Sequence, residues 1–290
     1  MTVSLCAPTS EITCFGCCPP IRPHHYDPLK YASSLRREFY ENRRRFLCDG
    51  PSSRPIVGYS CWALGFLDSS GQRIGCLLHP EQNNGEDLRG LIDYGRKCQR
   101  ECCHPARVFS TLPLDGRNFW LPLVIGLNSF YYSSPHANIL FHLLGWDVGV
   151  LEIMRSEAIR NDWTVTELLD RRRFLVSPRW NPKAHRWLFR LSLEKNPRGL
   201  SPDQIEQSCE RLLQSLADSK QAPPWKAASP IAASSAPNSI TSSAGTIYTH
   251  LLPMDSAFLD FLRLNLGWVK TTWEEAHSAK LHIDEMIGKM

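Results

Sequence analysis

Apolar side chains recur at near-helical spacing along the first third of the chain. Tyr31, Leu35, Phe39 and Phe46 fall on one side, with Arg36, Arg37, Arg43, Arg44 and Arg45 between them. Asp27-Pro28 supplies a cap and a first-turn proline, and Asp49-Gly50-Pro51 a stop, so the pattern predicts a helix over residues 28–47. Two short apolar runs, 61–67 and 74–78, flank Asp68-Ser69-Ser70-Gly71 and predict a hairpin. Leu88, Leu91, Ile92 and Tyr94 then predict a helix from Asp87 to about Cys103.

The texture changes after Pro105. Helical patterns cover residues 134–145, 148–160, 165–174 and 202–217, the last opening on Ser201-Pro202-Asp203. The alternation over 187–193 predicts a strand. Residues 219–246 are dominated by Ser, Ala and Pro with no apolar period, which marks a linker. A final helix is expected over 255–287. Its apolar start (Phe258, Leu259, Phe261, Leu262, Leu264, Leu266) should dock on this chain or on a protein partner. The fold class expected is mainly α with a small irregular α+β cysteine-rich N-terminal module. That module covers 1–105, a mainly helical body 106–218, the linker 219–246 and a C-terminal docking helix 247–290.

Composition narrows the function only a little. The 290 residues are 42% hydrophobic and 21% charged, ordinary for a globular protein. A net charge of +4 permits an acidic partner without demanding one. No run reaches the ~18–20 apolar residues that span a bilayer, so no membrane is expected. The first fifteen residues lack a basic and an apolar signal region, and the expected location is cytoplasmic.

The candidate chemistry is in the thiols. Ten of the eleven cysteines lie in residues 1–103, and only Cys209 lies beyond. Cys14, Cys17 and Cys18 form C-x-x-C-C; Cys98, Cys102 and Cys103 form C-x-x-x-C-C; Cys61 and Cys76 stand between. Reducing compartments disfavour disulfides, and an odd count fits a full disulfide framework poorly, so the clusters point to metal. Zinc takes four ligands and prefers thiolates, and an iron–sulfur cluster takes a similar set. The C-x-x-C step lets one turn aim two sulfurs at one ion, and Gly16 permits the turn. On a helix, Cys98 and Cys102 would share a face. His79, three residues after Cys76, is a candidate nitrogen ligand or a donor to a thiolate. The eight sulfurs of Cys14, Cys17, Cys18, Cys61, Cys76, Cys98, Cys102 and Cys103 suffice for two four-thiolate sites, or for one with spare thiols. Cys48 and Cys209, in helical contexts without partners, read as small buried packing residues, and Cys6 leans the same way.

These residues carry a resemblance. Cys14-Phe-Gly-Cys17-Cys18, then Cys61-Trp-Ala-Leu with Gly75-Cys76-Leu-Leu-His79-Pro80, then Cys98 and Cys102-Cys103, is similar to the YkgJ-type family of bacterial cysteine-cluster proteins. These are described as zinc- or iron-chelating. The resemblance covers the first third of the chain and implies metal chelation by the clustered thiols, with no assigned reaction. The family's arginine-proline-cysteine-arginine ending is absent, and Cys98 to His104 stands in its place.

Other classes fit less well. A radical-enzyme C-x-x-x-C-x-x-C from Cys98 would need a cysteine where Pro105 stands. A redox pair at Cys14 and Cys17 lacks the flanking βαβ pattern. Arg43-Arg44-Arg45 and Arg171-Arg172-Arg173 could touch phosphates, but the modest charge disfavours nucleic acid. No G-x-S-x-G, H-E-x-x-H or phosphate-cradling loop appears, so no catalytic residue is nominated. The expectation is a metal-binding protein, with zinc or an iron–sulfur cluster in a structural role. An iron–sulfur redox or metal-handling protein is the alternative, and a nucleic-acid-binding protein using basic helices a further one.

Overall fold

The computed structural model describes residues 4–16, 18, 26–52, 54–55, 58–92, 98, 103–195, 202–218 and 246–289. The chain forms two compact units, residues 1–148 and 149–290. It is mainly α, with two small antiparallel sheets. Residues 106–148, a stretch without cysteine, thus share a unit with the cysteine-rich segment. The expected linker lies outside the described residues apart from Thr246. Among the described residues no helix is long and apolar enough to cross a membrane.

In the first unit a 3-10 turn, Pro28–Tyr31, leads into α1, Ala32–Asp49. Asp27 starts the turn by accepting the Leu29 N–H at 2.8 Å, while Ser134 Oγ donates to its other oxygen, also at 2.8 Å. Helix α1 buries Leu35 and Phe39. Against it lies a hairpin of β1, Leu64–Phe66, and β2, Ile74–Cys76, paired Leu64 with Cys76 and Phe66 with Ile74. Asp68 closes the turn with Oδ2 accepting Arg73 N–H at 3.0 Å. The strand sits so close to α1 that a Cβ on Gly65 would fall 3.1 Å from the Phe39 carbonyl oxygen. Phe15 fills the centre, edge-on to Phe39 and Phe130 at 5.3 Å each. Burying such a ring stabilises by about 1.5–3 kcal/mol, so this aromatic trio is a main tie between the N-terminal segment and the rest of the unit.

The unit continues through α2, His104–Thr111, α3, Leu114–Trp120, α4, Ser129–Ser133, and α5, Ile139–Leu143. The helix expected over 134–145 is thus shorter. Asn138 caps it by accepting the Leu140 N–H at 3.0 Å, which keeps residues 134–138 outside the helix.

The second unit is helical: α6, Asp147–Arg160, which starts at the division, α7, Val165–Arg171, α8, Pro182–Lys195, α9, Pro202–Asp218, α10, Ser256–Asn265, and α11, Trp273–Gly288. The strand expected over 187–193 is instead the middle of α8. Asn181 accepts Lys183 N–H at 3.0 Å with Pro182 in the first turn, and the buried residues Ala184, Trp187 and Leu188 follow a helical, not an alternating, period. Trp187 packs on Phe258 and Phe261 of α10, and Arg186 pairs with Asp260 at 2.7 Å. The single helix expected over 255–287 is two. Gly267, at φ +71°, ends the first, and strand β4, Lys270–Thr271, pairs with β3, Ile247–Tyr248, before a Thr272–Glu275 capping box starts α11. The buried face of α11 (Ala276, Ala279, Ile283, Ile287) packs on α8 and α9 of its own unit.

Both arginine triplets make local contacts. Arg44 and Arg45 pair with Glu41, and Arg43 donates to the Phe66 carbonyl at 2.7 Å. Arg172 is buried against Glu157, Arg171 lies over the Trp163 ring at 4.6 Å, and Arg173 donates to the Asp170 carbonyl.

Candidate metal centre

The hairpin decides where two of the thiols lie. Cys76 ends β2 opposite Leu64, and Cys61 starts the turn that leads into Leu64, whose N–H donates to the Cys61 carbonyl at 2.9 Å. Leu77 N–H donates to the Ala63 carbonyl at 2.8 Å and locks the two segments together. The Asn42 amide, from α1, donates to the carbonyls of Cys61 at 3.1 Å and Leu64 at 2.8 Å. Glu38, one turn earlier, accepts Ser60 N–H and Ser60 O–H at 2.9 and 2.7 Å. Helix α1 therefore sets the conformation of the Cys61 turn.

Each of these sulfurs faces backbone donors. The Ala63 N–H points at Cys61 Sγ at 3.5 Å, and Leu78 N–H stands in the same two-residue relation to Cys76. Gly16 N–H repeats it at Cys14 Sγ, at 3.4 Å. Such donors favour a thiolate over a thiol. Burial wins nonetheless: it pushes the Cys61 thiol up to about 11, against the N–H groups of Ala63 and Leu64, with the neighbouring Cys98 adding to the rise. Burial also pushes Cys76 up to about 11. The Leu78 N–H opposes it, the charges of Cys61 and Cys98 add to it, and Arg89 works in the other direction. Cys61, Cys76 and Cys98 are thus within electrostatic reach of one another.

The helix expected from Asp87 to Cys103 is a 3-10 turn at its start, Leu88–Leu91. Ile92, extended at φ −96° and ψ 147°, ends it, while Asp87 caps the turn by accepting Arg89 N–H at 3.1 Å and Leu88 N–H donates to the Leu78 carbonyl at 3.2 Å. Residues 93–97 and 99–102 lie outside the described set, so the shared helical face of Cys98 and Cys102 does too. Arg89 reaches forward and donates to the Cys98 carbonyl at 3.1 Å.

The N-terminal segment is laid along α4. Phe15 N–H donates to Ser133 Oγ at 2.9 Å, and Tyr132 O–H donates to the Leu5 carbonyl at 2.7 Å. Thr13 Oγ1 lies 3.3 Å from Ser129 Oγ and accepts Ile74 N–H at 2.9 Å, which brings the segment bearing Cys14 alongside the strand bearing Cys76. A Cβ on Gly16 would fall 2.9 Å from the Ser133 carbonyl oxygen, so close packing, beyond the turn itself, requires glycine there. Cys14 N–H donates to the Cys6 carbonyl at 2.8 Å. Burial pushes the Tyr132 hydroxyl well above the ordinary tyrosine range, and the charges of Cys14, Cys6 and Cys103 add to this. Cys6, read from sequence as a packing residue, is in fact exposed and adjoins Cys14.

The remaining candidates divide. Cys18 packs half-buried on the core that holds Cys61, and Cys103 precedes α2. Cys17 and Cys102 lie outside the described residues. His79 caps a 3-10 turn, its Nδ1 accepting Glu81 N–H at 3.3 Å, which engages one of the two ring nitrogens a ligand would use. Cys209 is buried beside Ser192, as a packing residue should be, whereas Cys48 is exposed near the end of α1. No disulfide joins any two described cysteines. Among the described residues no group of three or more His, Cys, Asp or Glu side chains is arranged to hold a metal ion. The sulfurs fit zinc or iron in donor type and in their N–H partners, while two of the candidates fall outside the described set. No family model, no curated protein and no solved structure matches the chain.

Proposed function

We propose that the N-terminal unit is a metal-binding module whose clustered thiols hold zinc or an iron–sulfur centre in a structural role. One observation carries the reading. The β1–β2 register sets Cys61 and Cys76 at one end of a hairpin, each sulfur facing backbone N–H groups, with Cys98 in electrostatic reach. A thiol sulfur accepts such bonds only weakly, whereas a coordinated thiolate is stabilised by them. Thiols raised to about 11 must lose their protons on binding, so uptake releases protons and weakens in acid. The bound ion would tie loop, hairpin and helix together where strands of three residues add little stability of their own. The resemblance to the YkgJ-type family supports the same chemistry. A reducing compartment such as the cytoplasm would keep these thiols available.

The test is anaerobic purification followed by visible absorption and assays of zinc, iron and sulfide. A coloured protein containing sulfide supports a cluster, and a colourless one with stoichiometric zinc supports the structural ion. The reading is overturned if the protein takes up neither metal, even after reconstitution. It also fails as a structural role if Cys61→Ser with Cys76→Ser, or Cys14→Ser with Cys17→Ser, leaves the melting of the loaded protein unchanged.

A further inference from the structure

Arg89 was not singled out by any motif, yet it stands where the thiol-bearing segments meet. Leu88 N–H bonds the Leu78 carbonyl at 3.2 Å, which fastens the 3-10 turn to the residues just after Cys76. Asp87 grips the guanidinium bidentately, accepting from Nε and Nη2 at 2.8 Å each. That pair fixes the plane of the fork and leaves Nη1 to donate to the Cys98 carbonyl at 3.1 Å. The side chain is 19% exposed, and its bonds to Asp87 and Cys98 lie at the surface.

We propose that Arg89 is a positioning residue that holds Cys98 beside the Cys61–Cys76 hairpin end and offsets the negative charge of thiolates gathered there. The positioning follows from the hydrogen bonds alone; the charge role rests on the metal reading above. A guanidinium fixed near thiolates lowers the cost of their negative charge. Lysine would keep the charge without the fork, so the two parts of the role are separable.

The experiment uses the full chain without metal and a reagent that fluoresces only on bridging two thiols, with the bridged peptides identified by mass spectrometry. Wild type is expected to give a Cys76–Cys98 or Cys61–Cys98 bridge. Arg89→Met should lose most of it, Asp87→Asn should lose part, and both should melt like the wild type. Zinc affinity, by competition with a chromophoric chelator, should fall about 10–100-fold in Arg89→Met, the usual range for partners that orient ligands. Arg89→Lys should recover affinity more than it recovers the bridge. Bridging that is absent in wild type, or equal in wild type, Arg89→Met and Asp87→Asn, overturns the proposal. Arg89-dependent bridging in a chain that takes up no zinc or iron supports the positioning and sinks the metal reading instead.

Discussion

Removing the Asn42 amide tests whether α1 governs the Cys61 turn. The side chain gives two hydrogen bonds, to the carbonyls of Cys61 and Leu64, and Asn42→Ala removes both, leaving the Cys61 carbonyl the Leu64 N–H. Two neutral bonds at a net ~1 kcal/mol each give about 2 kcal/mol. Alanine is the better helix former by roughly 0.5 kcal/mol, which offsets part of the loss. The net destabilisation is therefore about 1.5 kcal/mol, or a fall of about 3–6 °C in the melting of a unit this size. The assay is thermal unfolding by circular dichroism on metal-free protein. Asn42→Asp is the sharper variant: it keeps the shape and turns a carboxylate toward two carbonyl oxygens, so it should melt lower than Asn42→Ala. If Asn42→Ala melts with the wild type, or Asn42→Asp melts above Asn42→Ala, the amide does not hold the turn and the argument linking α1 to the thiols fails.

Three further outcomes follow from the packing. Phe15→Ala leaves a cavity against Phe39 and Phe130 and should cost about 3–5 kcal/mol by chemical denaturation, enough to free the N-terminal segment. Glu157→Gln leaves the buried Arg172 without its carboxylate and should cost about 3–5 kcal/mol in the second unit, while Glu167→Gln, exposed in a capping box, should cost far less. Asp255 caps α10: partial burial pushes its carboxyl up, but the Ala257 N–H and Arg190 hold it below the usual range. Its folded value is depressed, so the stability it adds is full above an unfolded value of about 3.9 and is lost as pH falls through the folded value. The advantage of wild type over Asp255→Ala should accordingly be constant near neutrality and shrink below about pH 4, and an advantage that grows in acid would contradict it.

What the residues determined by themselves was local. Asp27-Pro28 and Asp68 with Gly71 set a start and a turn through bonds spanning a few residues, so α1 and the hairpin were legible, and helical spacing showed α6, α7 and α9. The mainly α class follows from their number. The failures came where local spacing was ambiguous. Ile92 is extended and ends the turn where a helix from Asp87 was expected, while α8 looked like a strand because Arg190 and Ser192 alternate with Phe189, Leu191 and Leu193 on paper; Ser192 is in fact buried, its hydroxyl donating to the Leu188 carbonyl one turn back in the same helix. For the thiols, spacing identified the residue type and the short steps, but not neighbours. That Cys61 meets Cys76 depends on the β1–β2 register, that Cys98 approaches depends on Arg89, and that Cys14 lies alongside depends on Thr13 reaching Ile74. Register and side-chain clamps are contacts between residues far apart in the chain, and no local period encodes them; the folded structure brings Cys61, Cys76 and Cys98 into electrostatic reach and only the segment of Cys14 alongside, and among the described residues it arranges no group of three or more ligand side chains around one point.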